Sequence, residues 1–330
     1  MKTLKLYSFV LLFCGIFSAS AAPKSYTVAS PDGKITVEIK ADEDLTYLVK
    51  HEGNVIVDES VVALTLADGT VIGASPRITS AKKNHIVEDI TAPLYRQKEF
   101  TSEANEIVLK MKNGFSLRFR AYNEGVAYRF ETSRKEETVI AAETAEVNFG
   151  KDHKAWLPYS TNEEKPMAMA FQNVYDNCNL SAARDILAFL PVTVDCGEVK
   201  VTVMESDLEA YPGMFVAVDK EKKGLKGVFA PYPKATDFYP WRVQEYVTET
   251  EDFIAKTTGA RSYPWRVLAV TECDTQLPVN NLVYALASPS RIEDTSWIKG
   301  GQVAWDWWND WGLSGVDFVA GINMDTYRYY

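Results

Sequence analysis

Phe115-Ser-Leu-Arg-Phe-Arg120 alternates apolar with polar side chains, meets Asn123-Glu-Gly125, and resumes as Val126-Ala-Tyr-Arg-Phe130. Alternation with a period of two marks a half-buried β-strand, and a glycine-containing turn between two such runs marks a hairpin. The same pattern extends outward in both directions. Ile35-Thr-Val-Glu-Ile39 follows the turn Ser30-Pro-Asp-Gly33, Val61-Val-Ala-Leu-Thr-Leu66 ends at Asp68-Gly69, and Glu106-Ile-Val-Leu-Lys-Met111 ends at Asn113-Gly114. Asn-Gly and Asp-Gly supply the positive φ angles that hairpin turns demand. Val199-Lys-Val-Thr-Val-Met204 and Trp265-Arg-Val-Leu-Ala-Val270 continue the series. Strands at short, regular spacing from Tyr26 to about Ile292, without long helical periods, predict a mostly β chain built as a large antiparallel sandwich. Tyr239 to Val243 and Tyr263 to Val267 both read Tyr-Pro-Trp-Arg-Val. With no similarity around them, they read as chance or as two similar strand starts.

Composition agrees with a packed domain and excludes some functions. The 330 residues are 46% hydrophobic and 24% charged, enough apolar material for a sizeable core. Lys and Arg number 35 against 45 Asp and Glu, a formal net charge of −10. A nucleic-acid binder would need a basic face, so that class is set aside. Lys2 and Lys5, the short apolar run Leu6 to Phe17, and the small residues Ala19-Ser-Ala-Ala22 form a secretory signal over residues 1–22. The apolar run is short for a membrane span, and no later stretch is long and apolar enough to be one. The bulky Phe13 before Cys14 fits a lipoprotein cleavage site poorly. The expectation is an exported, periplasmic chain. Cys178, Cys196 and Cys273 remain after the signal: buried thiols, or one disulfide with a cysteine left over. His51, His85 and His153 lie far apart, which argues against a histidine-based zinc site or catalytic dyad.

Two segments carry chemistry. Five of the eight tryptophans fall between Trp297 and Trp311, within Trp305-Asp-Trp-Trp-Asn309 and its neighbours. Sugars present apolar C–H faces for stacking and hydroxyls for carboxylate and amide hydrogen bonds, so this cluster suits a monosaccharide pocket; it equally suits a Trp-rich seam between domains. Beyond it, Asn323 is placed to cap a helix, with Asp325 in the first turn. The second segment, Met204-Glu-Ser-Asp-Leu-Glu-Ala-Tyr-Pro-Gly-Met214, sets Glu205, Asp207 and Glu209 between a strand and a Pro-Gly turn. Carboxylates so close together bind Ca2+ through oxygen or form a solvated acidic loop; the spacing is not that of the glycine-centred calcium loop.

Phe119-Arg-Ala-Tyr-Asn-Glu-Gly-Val-Ala-Tyr-Arg-Phe130, Met204 to Met214, Ser262-Tyr-Pro-Trp-Arg-Val267 and Val303-Ala-Trp-Asp-Trp-Trp-Asn309 together resemble the N-terminal part of glycoside hydrolase family 97. These four stretches span most of the chain in the expected order. The Trp305–Asn309 version resembles the retaining α-galactosidase branch more than the α-glucosidase branch. The resemblance implies a β-supersandwich over residues 23–295, followed at residues 296–330 by the first strand and helix start of a truncated (β/α)8 catalytic barrel. It implies an α-linked oligosaccharide substrate, with Trp305, Asp306, Trp308 and Asn309 as pocket residues at the C-terminal end of a barrel strand. It also implies a Ca2+ ion held partly by a glutamate of the sandwich, with Glu205 the first candidate and Asp207 the second. A retaining glycosidase needs two carboxylates about 5 Å apart, which in this family lie on later barrel strands. No nucleophile or acid/base is therefore assigned to this chain, which is expected to be inactive alone. The rival expectations are an α-glucosidase of the same family and a non-catalytic carbohydrate-binding sandwich.

Overall fold

The computed structural model describes residues 24–167, 172–240, 244–303 and 312–330. These residues fall into two compact units. One is formed by residues up to Glu88 together with Ser102–Ala287, the other by Asp89–Thr101 together with Ser288–Tyr330.

Two antiparallel sheets make the first unit. In one, the strands run in the order Lys24–Ala29, Ile35–Ala41, Leu45–His51, Asn54–Leu66, Glu137–Asn148, Gly224–Phe229, Met214–Asp219 and Ala188–Phe189. The other runs Asp176–Asn179, Lys154–Leu157, Val192–Asp195, Lys200–Ser206, Trp265–Thr271, Gly125–Thr132 and Phe115–Tyr122, followed by the long strands Glu99–Met111 and Ile78–Thr91, of which residues 99–101 and 89–91 fall in the second unit. The hairpin read from the sequence is present, with Phe119 opposite Tyr128 and Tyr122 opposite Gly125.

Alternation explains how the sheets meet. Phe115, Leu117, Phe119 and Ala121 are all buried in the common core, while Ser116, Arg118 and Arg120 occupy the opposite face of their strand. Tyr47 of the first sheet packs its ring 5.5 Å from both Phe119 and Tyr128 of the second, which themselves lie 5.3 Å apart. Burying each such side chain contributes about 1.5–3 kcal/mol. The Tyr47 hydroxyl donates to the carbonyl of Glu146 at 2.9 Å, which satisfies the one polar group of this buried ring.

The far face of the second sheet is covered in part by the helix Leu282–Leu286, with Leu282, Ala285 and Leu286 buried beneath it. Ser206 Oγ donates to the carbonyl of Val283 at 2.6 Å and ties the helix to its strand. Gly125 has φ +147°, and a Cβ there would lie 2.3 Å from the Leu268 carbonyl oxygen and 2.8 Å from Leu282 Cδ1. The turn therefore needs glycine both for its backbone angle and for the close approach of the next strand and helix.

Pro233–Phe238 and Glu245–Thr250 pair as a separate two-stranded ribbon. Tyr239 follows the end of the first of these strands and residues 241–243 lie outside the described residues; in the second copy of the repeated pentapeptide a strand opens at Trp265. In the second unit Asn323 caps the helix Met324–Tyr329 as the sequence predicts, accepting from the Thr326 backbone N–H at 2.9 Å. No helix among the described residues is long and apolar enough to cross a membrane.

Gly125→Ala is expected to destabilise the sandwich by on the order of 3 kcal/mol, because it adds a backbone clash to an unfavourable φ. Urea unfolding midpoints of the two proteins test this; a loss within about 0.5 kcal/mol would contradict the packing described.

Candidate functional site

The sequence pattern predicts a strand ending at Met204, with the carboxylates in a loop behind it. The strand instead continues through Ser206, because Glu205 pairs in register with Arg266 and Ser206 with Trp265. Val201 and Val203 face the core, so Glu205, two positions on, points the same way. Arg266 is the one charged residue in Trp265–Thr271, a strand buried along its whole length.

Arg266 bridges the two sheets. Its Nε and Nη2 donate to Oε1 and Oε2 of Glu143, on the facing sheet, at 2.7 and 2.8 Å. Its Nη1 donates to Glu205 Oε2 at 2.8 Å. The guanidinium lies 4.8 Å from the Phe229 ring centroid, and the Tyr211 hydroxyl donates to Glu143 Oε2 at 2.8 Å. Side-chain exposure is 4% for Arg266 and for Glu143 but 17% for Glu205, so the glutamate is the end of the cluster nearest solvent. Burial disfavours the arginine's charge, yet the two carboxylates outweigh it and raise its pKa above the ordinary value. Burial pushes the Glu205 carboxyl above its usual range, opposed in part by Arg266 and by the Met214 N–H.

Glu205 accepts from the Met214 backbone N–H through both oxygens, each at 3.1 Å. A Cβ at Gly213 would sit 3.3 Å from Glu205 Oε1, so the missing side chain keeps space beside that oxygen. Asp207, the second metal candidate, lies in the following turn at φ +60° and pairs with Arg129 Nη1 at 3.3 Å. Arg261 holds the loop by donating to the carbonyls of Glu209 and Ala210 at 2.7 and 3.3 Å. Glu205 and Asp207 thus go to different arginines. No three His, Cys, Asp or Glu side chains converge as a metal cluster among the described residues. What the site provides is one hard carboxylate oxygen, Glu205 Oε1, in a cluster with one cation for two anions, which suits a single ligand position on a Ca2+.

On the outer face of the second sheet, Trp265 is buried beneath Arg129 and Arg120, whose guanidinium carbons lie 4.3 and 5.3 Å from its ring centroid. Arg118 joins Glu106 to Glu131, and Arg120 also binds Glu106, at 3.0 Å. Burial alone would raise the Glu106 carboxyl; hydrogen bonds from Arg118, Asn84 and Arg120 prevail and hold it below the usual carboxylate range. Cys178, Cys196 and Cys273 are free thiols. Burial pushes Cys196 up to about 12, which makes it an inert thiol.

Trp305, Asp306, Trp308 and Asn309, the expected sugar-pocket residues, lie outside the described residues, as does the 1–22 signal segment. Glu143 and Arg266 are absent from the candidates read from sequence. The available signal was an arginine in an otherwise apolar strand, which must find a buried acid.

Comparison with known proteins places this architecture in a glycosidase family. The family model described as Glycosyl-hydrolase 97 N-terminal matches residues 28–289. The chain belongs to glycoside hydrolase family 97, and this matched region is its N-terminal domain. It is 40% identical over 329 residues to a retaining α-galactosidase of Bacteroides thetaiotaomicron, covering 97% of this chain and 50% of that protein. A probable retaining α-galactosidase of Streptomyces bingchenggensis is 23% identical over 304 residues, covering 88% of this chain and 42% of that protein. The chain therefore spans half or less of the length of these curated relatives. A family 97 enzyme of Pseudoalteromonas sp. strain K8, solved in complex with panose, superposes with a TM-score of 0.75 at 20% identity, over 92% of this chain and 45% of that one. At that identity the likeness shows the shared fold.

Removing the guanidinium with Arg266→Met leaves two carboxylates in the core and is expected to cost about 3–5 kcal/mol, read from chemical unfolding at neutral pH. Glu106 gives a pH signature. Its folded pKa is depressed, so its contribution is present above the ordinary glutamate value of about 4.3 and is lost as pH falls through the depressed folded value. The stability gap between the parent and Glu106→Gln should therefore be wide at pH 7 and narrow below pH 4. A gap independent of pH would show that the carboxylate is not held ionised by its arginines.

Proposed function

We propose that this chain is the sandwich-bearing half of an exported retaining α-galactosidase that hydrolyses terminal α-galactosides with the aid of calcium. The observation that carries the reading is its 40% identity, over 97% of its length, to a protein named as a retaining α-galactosidase. In this reading residues 1–22 direct export to the periplasm, 23–295 form the supersandwich, and 296–330 open a (β/α)8 barrel. Trp305 and Trp308 would stack on the galactose ring, and Asp306 and Asn309 would hydrogen-bond its hydroxyls, since a Trp cluster with short polar side chains matches both faces of a sugar.

In this reading the sandwich contributes one charged side chain, Glu205, held on a strand. Glu205 would hold one position on a Ca2+, with Asp207 the second candidate ligand, and other ligands would come from outside the described residues. When bound, the ion would supply fixed positive charge next to the sugar. Retention requires a nucleophile and an acid/base about 5 Å apart; these are proposed to lie in the part of the relatives that residues 1–330 do not span.

The test is hydrolysis of p-nitrophenyl α-D-galactoside and α-D-glucoside by the full-length protein, with the anomeric configuration of the product followed by NMR. Galactoside should be preferred by about a hundredfold, because a pocket built to pair with one hydroxyl arrangement leaves buried groups unmatched by its epimer. The first-formed product should retain the α configuration. Residues 1–330 alone should give no turnover. Preference for the glucoside would replace the substrate assignment, and sugar binding without hydrolysis by the full-length protein would replace the enzyme reading altogether.

A further inference from the structure

The calcium reading names Glu205 but does not explain why a carboxylate partly inside a sandwich core should face a cation. Three features of the cluster answer this. First, Arg266 Nη1 engages Oε2 at 2.8 Å, and the Met214 N–H bisects the carboxylate, so the group has one fixed orientation. Secondly, Oε1 has only that N–H, and Gly213 keeps the adjacent space open. Thirdly, Arg266 cannot follow Glu205 outward: two of its nitrogens are held by Glu143 on the other sheet, and its plane lies against Phe229. One guanidinium is shared by two carboxylates, so the cluster is short of one positive charge.

We propose that Arg266 is a positioning residue that anchors Glu205 to the opposite sheet through Glu143 and presents Oε1 as a ligand for a divalent cation. The inference rests on the calcium reading above and adds the device that orients the ligand. Arginine is required here because its planar fork reaches Glu143 with two donors and still has a third for Glu205; a lysine would supply the charge from one point only.

The experiment is calorimetric melting of the full-length protein in EDTA and in millimolar CaCl2, with titration calorimetry of Ca2+, for the parent, Glu205→Gln, Arg266→Lys and Gly213→Ala. An ion that binds only the folded protein raises its melting temperature. The parent should show a calcium-dependent rise, and Glu205→Gln should abolish most of it. Arg266→Lys should melt lower in EDTA and also bind Ca2+ about 10- to 100-fold more weakly, the usual effect of removing a group that orients a ligand. A merely structural arginine would lower the EDTA melting temperature and leave the calcium increment intact; that result would falsify the proposal. Should Arg266→Lys fail to fold, Gly213→Ala decides. It places a methyl beside Oε1 while leaving Arg266 and Glu143 unaltered, and unchanged Ca2+ affinity would overturn the assigned direction of approach. No calcium increment in the parent would remove the calcium reading and this inference with it, whereas an increment unaffected by Arg266→Lys would remove this inference alone.

Discussion

A guanidinium inside a β-sandwich must be met by acids that approach from more than one direction, because moving either charge from water costs several kcal/mol. Arg266 lies in a strand buried along its whole length. Its charge holds only because Glu143 reaches it from one sheet and Glu205 from the neighbouring strand of the other. The arrangement constrains the spacing of the sheets, the register of Lys200–Ser206 against Trp265–Thr271, and the rings of Tyr211 and Phe229 that complete its surroundings. A one-residue slip in that register would turn Glu205 to the far face and leave the arginine with Glu143 alone. The ion cluster thus acts on specificity of pairing more than on net stability, since a well-packed apolar replacement of the same volume would avoid the desolvation cost.

The opposite face of the same sheet uses charge differently. Trp265 is buried there under arginine side chains instead of a second apolar layer, and Arg118, Arg120 and Arg129 are held by Glu106, Glu131 and Asp207. Arginine stacks over an indole with its plane while its edge serves carboxylates, so one residue type satisfies both the ring and the acids. Asp207 belongs to this outer network and Glu205 to the inner one, although one residue separates them. Alternation alone would keep residues two apart on one face; the strand ends at Ser206 and Asp207 takes φ +60°, and that break sends it to the outer network.

Much of this fold is legible from local signals. The 115–130 hairpin, its glycine turn and the Asn323 cap depend on residues within a few positions of one another, where period and turn chemistry act. The cluster around Arg266 is harder to read. Glu143 is 123 residues from Arg266, and no periodicity announces that a strand following Thr132 will face one preceding Thr271. The strand runs two residues past Met204, to Ser206, where an acidic run resembles a solvated loop unless the buried arginine opposite Glu205 is already known. Gly213 reads from sequence as part of a Pro-Gly turn; its neighbour Glu205 Oε1 supplies a second reason for the missing side chain.

The position of Glu205 has a consequence for how a sandwich orients a carboxylate near a strand end. A ligand on a loop would have to be ordered each time it bound, at a cost in conformational entropy. Glu205 sits one residue before its strand ends, with Oε2 held by Arg266 and both oxygens accepting from the Met214 N–H. Side chains on scaffold elements hold geometry more closely than those on loops. Such a carboxylate is oriented by folding itself, and the free energy of orienting it is met when the two sheets close on Arg266. The same logic explains why the arginine is sealed on its far side by Glu143: a guanidinium free to follow Glu205 would neutralise it and compete with any incoming cation. Held by the opposite sheet, it can steady one oxygen while leaving the other available.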